Sequence, residues 1–403
     1  MYTRESPFTP IFERLVNGYL ADYPDVEFEY ESMSGTEEYS TKFNVYIAAR
    51  TLPDIFLTRD DLTPDLVRQN ILRPLDDILD REWKDNFIPM WSEETVDGKI
   101  YGIPFQFITN QAVYYNKNIL AEAGYTGFPK TWEDWMSLCE KLKRAGYIPI
   151  ALGDVEGWPL WSFIGEPLTQ FMCGNEWVVN CGLFNGKTSY NDPDFVKTMN
   201  MINDIMKNGY FNSDVVAANG TDVSAYYFTG KAAMLMSGSW TAGGMLIDAP
   251  EEIYRVTGVA PLPRPAAAKP EVEYGMYTGG SGWAYALNPG VDGEGKLDLC
   301  TGILRALLGN ESALGSLEVG NMPAWTIDTI TGIERVNISP LLRAFLDSVA
   351  EAPAVYPLNR QQNGPAMTQI IYAKTQEMLS GTVTPADACR AIQAVFEEYS
   401  KIR

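Results

Sequence analysis

The chain has 403 residues, too many for one ordinary hydrophobic core, and its 46% hydrophobic and 21% charged residues are those of a folded protein rather than a disordered one. Its 52 acidic and 31 basic residues leave a net charge of −21, a field that repels polyanions and argues against nucleic acid as a partner. Histidine is absent, which removes the Ser-His-Asp triad, the papain-like pair and the His-bearing zinc site, while carboxylate-only chemistry survives the exclusion.

Thr9 is predicted to cap a first helix with Pro10 in its first turn; Ile11, Phe12, Leu15, Val16, Tyr19 and Leu20 recur at helical spacing until Pro24. Val26, Phe28 and Tyr30 alternate with Glu27 and Glu29 as in a strand. Thr36, Glu37 and Glu38 open a second helix, residues 53–58 read as a short buried strand, and Thr63 and Pro64 begin a further helix. This rhythm predicts an α/β fold with a largely parallel sheet. The middle is helix-rich. Thr131 caps one helix with the apolar face Trp135, Leu138, Cys139 and Leu142, and Gly146 lies past its end. Asp192-Pro193 starts another, with Phe195, Met199, Ile202 and Met206 on one side and Gly209 as its stop. The segment 258–270, with Pro261, Pro263, Pro265 and Pro270, reads as a crossover between lobes. A last helix begins at Thr384-Pro385 and buries Ala388, Ile392, Val395 and Phe396.

No run of about 18 apolar residues is long enough to span a membrane, and no period of about 20–50 residues marks a repeat. The five cysteines form no CxxC pair and are expected to be buried as small hydrophobes; Cys173 and Cys181 are close enough in sequence for a local bridge. The residues after Met1 have neither the charged nor the apolar region of a secretory leader, and the expectation is that a leader has been removed.

Several of the 10 tryptophans sit among Gly, Ser and Pro rather than on helical faces: Trp158 and Trp161, Trp240 after Gly238-Ser239, and Trp283 after Gly279-Gly280-Ser281-Gly282. An indole covers the C–H face of a pyranose, and nearby polar groups satisfy the hydroxyl rim, so this pattern suits sugars; filling a core is the alternative for each ring. Thr58-Arg59-Asp60-Asp61 follows the predicted buried strand, where open α/β sheets gather ligand groups, and Thr3-Arg4-Glu5 reads as a second strand end. Gly279 to Gly282 lacks the spacing of a phosphate loop and runs into a strand, so it reads as a bend or a close backbone approach.

Seven further segments carry a family likeness through their order. They are Leu52-Pro53-Asp54-Ile55-Phe56, Leu72-Arg73-Pro74-Leu75-Asp76-Asp77, Gly98-Lys99-Ile100-Tyr101-Gly102-Ile103-Pro104, Tyr114-Tyr115-Asn116-Lys117, Pro129-Lys130-Thr131-Trp132-Glu133-Asp134, Phe228 to Met234 followed by Gly238-Ser239-Trp240, and Gly381 to Ala388. Together they resemble the extracellular solute-binding proteins of sugar importers, family 1, the maltose-binding-protein-like group. The resemblance implies a periplasmic-binding-protein-like fold of type II, two α/β lobes closing by hinge motion on a sugar. One lobe is expected over 1–109 and 262–310, and the other over 110–261 and 311–403, with crossovers near 108–112, 258–264 and 308–313. Carried over by position, the implied ligand residues are Arg4, Glu5, Ser34, Arg59, Asp60, Asp61, Gln106, Asn110, Trp158, Trp161, Trp240, Ser281 and Trp325. No cofactor and no metal are implied. The implied role is capture of a carbohydrate, an oligosaccharide by the number of aromatics, outside the cytoplasm. The implied partner is an ABC-transporter permease, and the chain is expected to be a monomer and a cell-surface lipoprotein or periplasmic. A glycoside hydrolase, with Asp60 or Asp61 set against Glu166, and a surface adhesin are the other readings.

Overall fold

The computed structural model describes residues 1–4, 8–33, 36–177 and 179–401. Its contacts divide the chain into two compact units. The first holds Met1–Ile108, Ala242–Gly244 and Gly280–Leu342; the second holds Thr109–Thr241, Met245–Gly279 and Arg343–Arg403.

The first unit is built on a five-stranded sheet in the order Glu31–Met33, Tyr2–Arg4, Ile55–Arg59, Trp283–Leu287, Ile103–Pro104. The first three strands are parallel, as the βαβ rhythm predicts. Trp283–Leu287 runs antiparallel to Ile55–Arg59, with Trp283 opposite Arg59 and Leu287 opposite Ile55. That register sets the loop before Trp283 beside the carboxyl end of Ile55–Arg59. Ile55, Phe56, Leu57 and Thr58 are all buried, so this strand is apolar on both faces. The expected strand at Val26–Tyr30 begins later, at Glu31–Met33. Phe28 and Tyr30 stack on each other and Tyr30 also packs on Phe12 of the Thr9–Leu20 helix, so side-chain packing, not a ladder, orders that segment. Thr9 stands inside that helix, and Phe8 occupies the cap position.

The second unit carries a four-stranded sheet in the order Thr257–Ala260, Ala112–Asn116, Ala232–Ser237, Ile148–Ala151. Ala112–Asn116 is antiparallel to both neighbours, and Ala232–Ser237 is parallel to Ile148–Ala151. The carboxyl ends of three strands and the start of Ala112–Asn116 therefore meet at one edge. Helices cover this sheet as their apolar periodicity predicts. Thr131 caps Trp132–Arg144 through the N–H of Asp134, and Trp135, Leu138, Cys139 and Leu142 are fully buried. Phe195, Met199 and Ile202 of Pro193–Lys207 and Ala388, Ile392 and Phe396 of Pro385–Tyr399 join the same core, whereas Val395 is exposed.

The division differs from the expected lobes at Thr109, which groups with the second unit, at Ala242–Gly244, which group with the first, and in two longer stretches. Residues 262–279 group with the second unit and 311–342 with the first. The proline-rich run does not cross over. Its Arg264 exchanges backbone hydrogen bonds with Lys130 and Trp132, and its guanidinium donates to the carbonyls of Val272 and Lys269 at 2.7 and 3.1 Å. The Asn310–Glu318 helix stays with the first unit because its Gly315 packs directly on Ile11. Cys139, Cys300 and Cys389 are buried as expected, and Cys181 is exposed.

One helical stretch in the second unit departs from regular geometry. Trp158–Leu160 continues into a π-turn, Trp161–Gly165, and then into Glu166–Cys173. The wide turn fits because Gly165 lies under the Trp161 indole: a Cβ there would sit 2.4 Å from the ring. Gly165→Ala is expected to destabilise the protein by about 1–3 kcal/mol through overpacking. Urea denaturation followed by tryptophan fluorescence measures it, and an unchanged midpoint would mean the turn relaxes at no cost.

Candidate functional site

In the first unit, the strand Ile55–Arg59 delivers Arg59, Asp60 and Asp61 to its carboxyl end, as expected. Asp60 and Asp61 are buried. Arg59 grips Asp61 in a two-pronged ion pair, Nε to Oδ1 at 2.9 Å and Nη2 to Oδ2 at 2.8 Å. The charges expected to hold ligand hydroxyls thus also hold each other.

Two residues missed in the sequence organise this end of the sheet. Glu94 is fully buried and accepts hydrogen bonds from Ser281 Oγ at 2.7 Å and Thr63 Oγ1 at 3.3 Å. Glu93 accepts the Ser281 backbone N–H at 2.6 Å. Burial drives the Glu94 carboxyl up to about 8; the charges of Asp60 and Glu93 push the same way, and the Ser281 and Thr63 donors oppose. Ser281 lies next to the strand-end loop, and its hydroxyl proton is committed to Glu94. A sequence signal existed: Asp97-Gly98 is a hairpin-turn pair, and it ties Thr95–Val96 to Lys99–Ile100 directly after the two glutamates.

Gln106 is half-buried and bridges to Pro323. Trp325 is a packing residue, against the expectation of a ligand-stacking ring. It is 9% exposed, its indole N–H donates to the Leu308 carbonyl at 2.9 Å, and its ring lies against Phe87. Glu5 and Ser34 lie outside the described residues, as does the side chain of Arg4.

In the second unit, three aromatic rings form a triangle at the strand-end edge. Trp158 and Trp240 are 6.1 Å apart between centroids, and Phe163 is 5.3 Å from one and 6.0 Å from the other. Phe163 is buried, while both tryptophans stay half-exposed. The Trp240 ring folds back over Gly238, where a Cβ would come within 2.1 Å of it. Trp158 donates its indole N–H to Glu156. Trp161 stands apart from this group, against expectation. It is 3% exposed and packs on Phe195, because the π-turn points it into the core.

Asn110 is buried beside the same edge. Its backbone N–H donates to the Thr278 carbonyl at 3.1 Å. Thr109 and Ser239 exchange two hydrogen bonds of 3.1 and 2.9 Å, which tie the start of Ala112–Asn116 to the Gly238-Ser239-Trp240 turn. Glu166, the carboxylate of the hydrolase reading, is buried in the helix below Phe163 and belongs to a different unit from Asp60 and Asp61.

Asp154, also missed in the sequence, anchors the segment that carries Trp158. Its Oδ1 accepts the Leu160 N–H at 2.9 Å, and its carbonyl accepts from Gly157 and from the Gln376 side chain. Gly157 at the helix start offers no capping side chain, so Asp154 caps from a distance. Burial raises its carboxyl to about 7, with the Leu160 and Gln376 donors opposing. Between the ordinary value near 3.8 and about 7 the folded chain keeps this proton and the unfolded chain does not. The stabilisation is therefore complete below the lower value and is lost as pH rises through the upper one. Asp154→Asn should flatten the fall in unfolding free energy between about pH 4 and 7 by on the order of 1 kcal/mol per pH unit, read by denaturant titration at several pH values. An unaltered slope would mean that Asp154 titrates normally.

The chain matches the family described as bacterial extracellular solute-binding protein over residues 5–290. A maltotriose-binding protein of Pyrococcus abyssi is 27% identical over 255 residues, 63% of this chain and 50% of that protein. A diacetylchitobiose binding protein of Streptomyces coelicolor is 25% identical over 295 residues, 71% of this chain and 63% of that protein. An uncharacterised ABC transporter extracellular-binding protein of Pyrococcus horikoshii is 26% identical over 62% of this chain, which spans 57% of that relative's length. Among solved structures, a chitin oligosaccharide binding protein superposes with a TM-score of 0.88 at 25% identity, covering 100% of this chain and 98% of the other. A maltose-bound T. maritima protein, MalE3, superposes at 0.76 with 19% identity over 99% of each chain, and shows the shared fold. The fold is that of the type II periplasmic sugar-binding proteins, and the chain belongs to the bacterial extracellular solute-binding protein family.

Proposed function

We propose that this chain is the extracytoplasmic substrate-binding subunit of an ABC importer, and that it captures an oligosaccharide without transforming it and passes it to a membrane permease. The observation that carries this reading is the Trp158–Trp240 pair, two half-exposed indoles backed by buried Phe163 at a strand-end edge. Such a pair offers large apolar faces to pyranose C–H groups. Asn110 and Glu156 are the polar groups of the second unit that supply hydroxyl contacts beside the pair, and Arg59, Asp60, Asp61 and Gln106 are the candidate hydroxyl-binding groups of the first. The two compact units act as lobes that hinge at the places where the chain passes between them, at 108/109, 241/242, 244/245, 279/280 and 342/343. Relatives named for maltotriose, diacetylchitobiose and chitin oligosaccharides support a sugar ligand, and those named for ABC transport support the partner. The same reading makes the chain a monomer that works outside the cytoplasm, free or held by a lipid anchor.

A panel of chitin- and malto-oligosaccharides, read by thermal shift and calorimetry, tests the reading. A true ligand at 100 times its Kd adds about 2.7 kcal/mol to the native state. The expected result is stabilisation by at least one oligosaccharide that mass spectrometry recovers intact. Cleavage of the sugar would replace this reading with the hydrolase. Trp158→Ala and Trp240→Ala are each expected to weaken binding about tenfold, the equivalent of about 1.4 kcal/mol, with the fold retained by circular dichroism. Full affinity in both variants would place the ligand elsewhere.

A further inference from the structure

The Thr9–Leu20 helix of the first unit has two apolar sides, and the rest of the unit covers one of them. Ile11 packs on Gly315 and Tyr19 lies against Gly302, so that side is closed by the helices Asn310–Glu318 and Glu294–Leu307. The other side opens on a groove of about 400 Å³ between the helix and the segment 26–30. Buried Phe12 and Val16 line it from the helix. Phe28 and Tyr30 line it from the segment: Tyr30 packs on Phe12 at 5.3 Å and on Phe28 at 6.3 Å between ring centroids. Leu20 and Val26 carry the same apolar lining to the helix end. Tyr30 remains 39% exposed, and Leu20, Val26 and Phe28 are only half-buried. The helix returns from the carboxyl end of Tyr2–Arg4 to the amino end of the parallel strand Glu31–Met33. The groove therefore runs away from the carboxyl strand ends that carry Arg59, Asp60 and Asp61.

We propose that this groove docks a basic amphipathic segment of a partner protein, with its apolar side chains in the hollow and its Lys or Arg residues on the rim. Charge selects the occupant. From Asp22 to Glu31 the chain carries five acids and no Lys or Arg. Asp22, Asp25, Glu27 and Glu29 are exposed, and Glu13 and Asn17 stand on the helix lip. The nearby cations are few: Lys42 pairs with Glu31, the Met1 ammonium donates to the Glu29 carbonyl, and Arg14 is outside the lining. Glu13 accepts the Tyr30 hydroxyl, which holds the two lips together. Such a rim repels an anionic membrane, and a second copy of the chain would bring the same net charge of −21. A basic segment meets both features at once, burying apolar groups below and satisfying the acids above. The lining positions 12, 16 and 20 recur every fourth residue over about 12 Å of helix, at about 1.5 Å per residue. That length matches two turns of an amphipathic helix laid alongside, anchored by residues four apart. The proposal stands apart from the sugar reading and uses none of its residues.

The probe is a peptide of about 14 residues, roughly four helical turns, with Leu at the helical spacing of one face and Lys elsewhere. It is titrated into the full chain by calorimetry, and hydrogen exchange locates where it sits. The expected result is saturable one-to-one binding with slowed exchange over residues 12–30, weakened about tenfold between roughly 0.05 and 0.5 M salt. The double variant Glu27→Gln, Glu29→Gln changes only exposed side chains, so it should keep the fold and lose about tenfold in affinity. Phe28→Ser should lose at least as much, with circular dichroism checking its fold. Peptides with Glu in place of Lys, or Ser in place of Leu, should not bind. Equal binding of the Ser/Lys peptide would reduce the effect to net charge and overturn the groove. Equal binding of the Leu/Glu peptide would overturn the charge selection. Failure of the Leu/Lys peptide to bind, or protection elsewhere on the chain, overturns the proposal outright. Self-association in sedimentation that Phe28→Ser abolishes would make a second copy the occupant, and overturns it as well.

Discussion

A carboxyl group taken out of water must give up its charge or collect donors enough to keep it, and each unit of this protein holds such a group beside a candidate ligand loop. Glu94 in the first unit and Asp154 in the second are buried, and both are met by hydroxyl or amide donors. Burial is the largest influence on each, and it raises both above the ordinary carboxylate range. Each acts on the loop that carries the candidate ligand groups: Glu94 through Ser281 and Thr63 to the Arg59–Asp61 turn, Asp154 through Leu160 to the Trp158 segment. Exposed acids would leave those loops free to move, and apolar residues would leave the Ser281 hydroxyl and the Leu160 N–H without acceptors. A neutral or nearly neutral buried carboxyl resolves both problems at the cost of a link to protons.

The half-exposed aromatic pair depends on equally local constraints. Trp240 can fold back only because Gly238 has no side chain, and Trp158 is held by a helix start whose own cap position is a glycine. Phe163 closes the triangle from below, within the π-turn that also turns Trp161 away. An ordinary α-turn would shift the residues after Trp161 by roughly 100° about the helix axis for each residue displaced. The irregular turn therefore sets the direction of Phe163, which follows Trp161 and meets both Trp158 and Trp240.

These particulars mark where the sequence was readable. Helix starts were legible at Thr131 and Thr384 because a capping oxygen and an acid three positions later form a local signal. The buried strand and the charged loop after it were legible because both faces of Ile55–Thr58 are apolar and the next three residues are charged. The ordered motifs carried the family and the fold. The burial of Trp161 and Trp325 was not legible because composition records that a ring is present, not whether it packs on Phe195 or Phe87. Glu93 and Glu94 were passed over because adjacent acids usually belong to a solvated face. What makes them different is the room left by Gly102 and Gly280, 8 and 187 positions away by subtraction from Glu94 and Glu93. The proline-rich run was read as a crossover from composition alone, whereas Arg264 gathers its carbonyls into a fixed loop on one unit.

The net charge of −21 gives these local features a common direction. A strongly negative chain favours protonation of a buried acid, so the field of the whole molecule acts in the same direction as the burial that raises Glu94 and Asp154. The same field disfavours an anionic ligand at any site the chain offers, and it leaves a neutral polyol unaffected. Stacking on indole faces and hydrogen bonding to hydroxyls also depend little on ionic strength, because neither needs a net charge on the ligand. A neutral sugar is thus the solute class whose binding would be least disturbed by the charge this protein carries. The acids at the candidate site then act by geometry and hydrogen bonding rather than by long-range attraction.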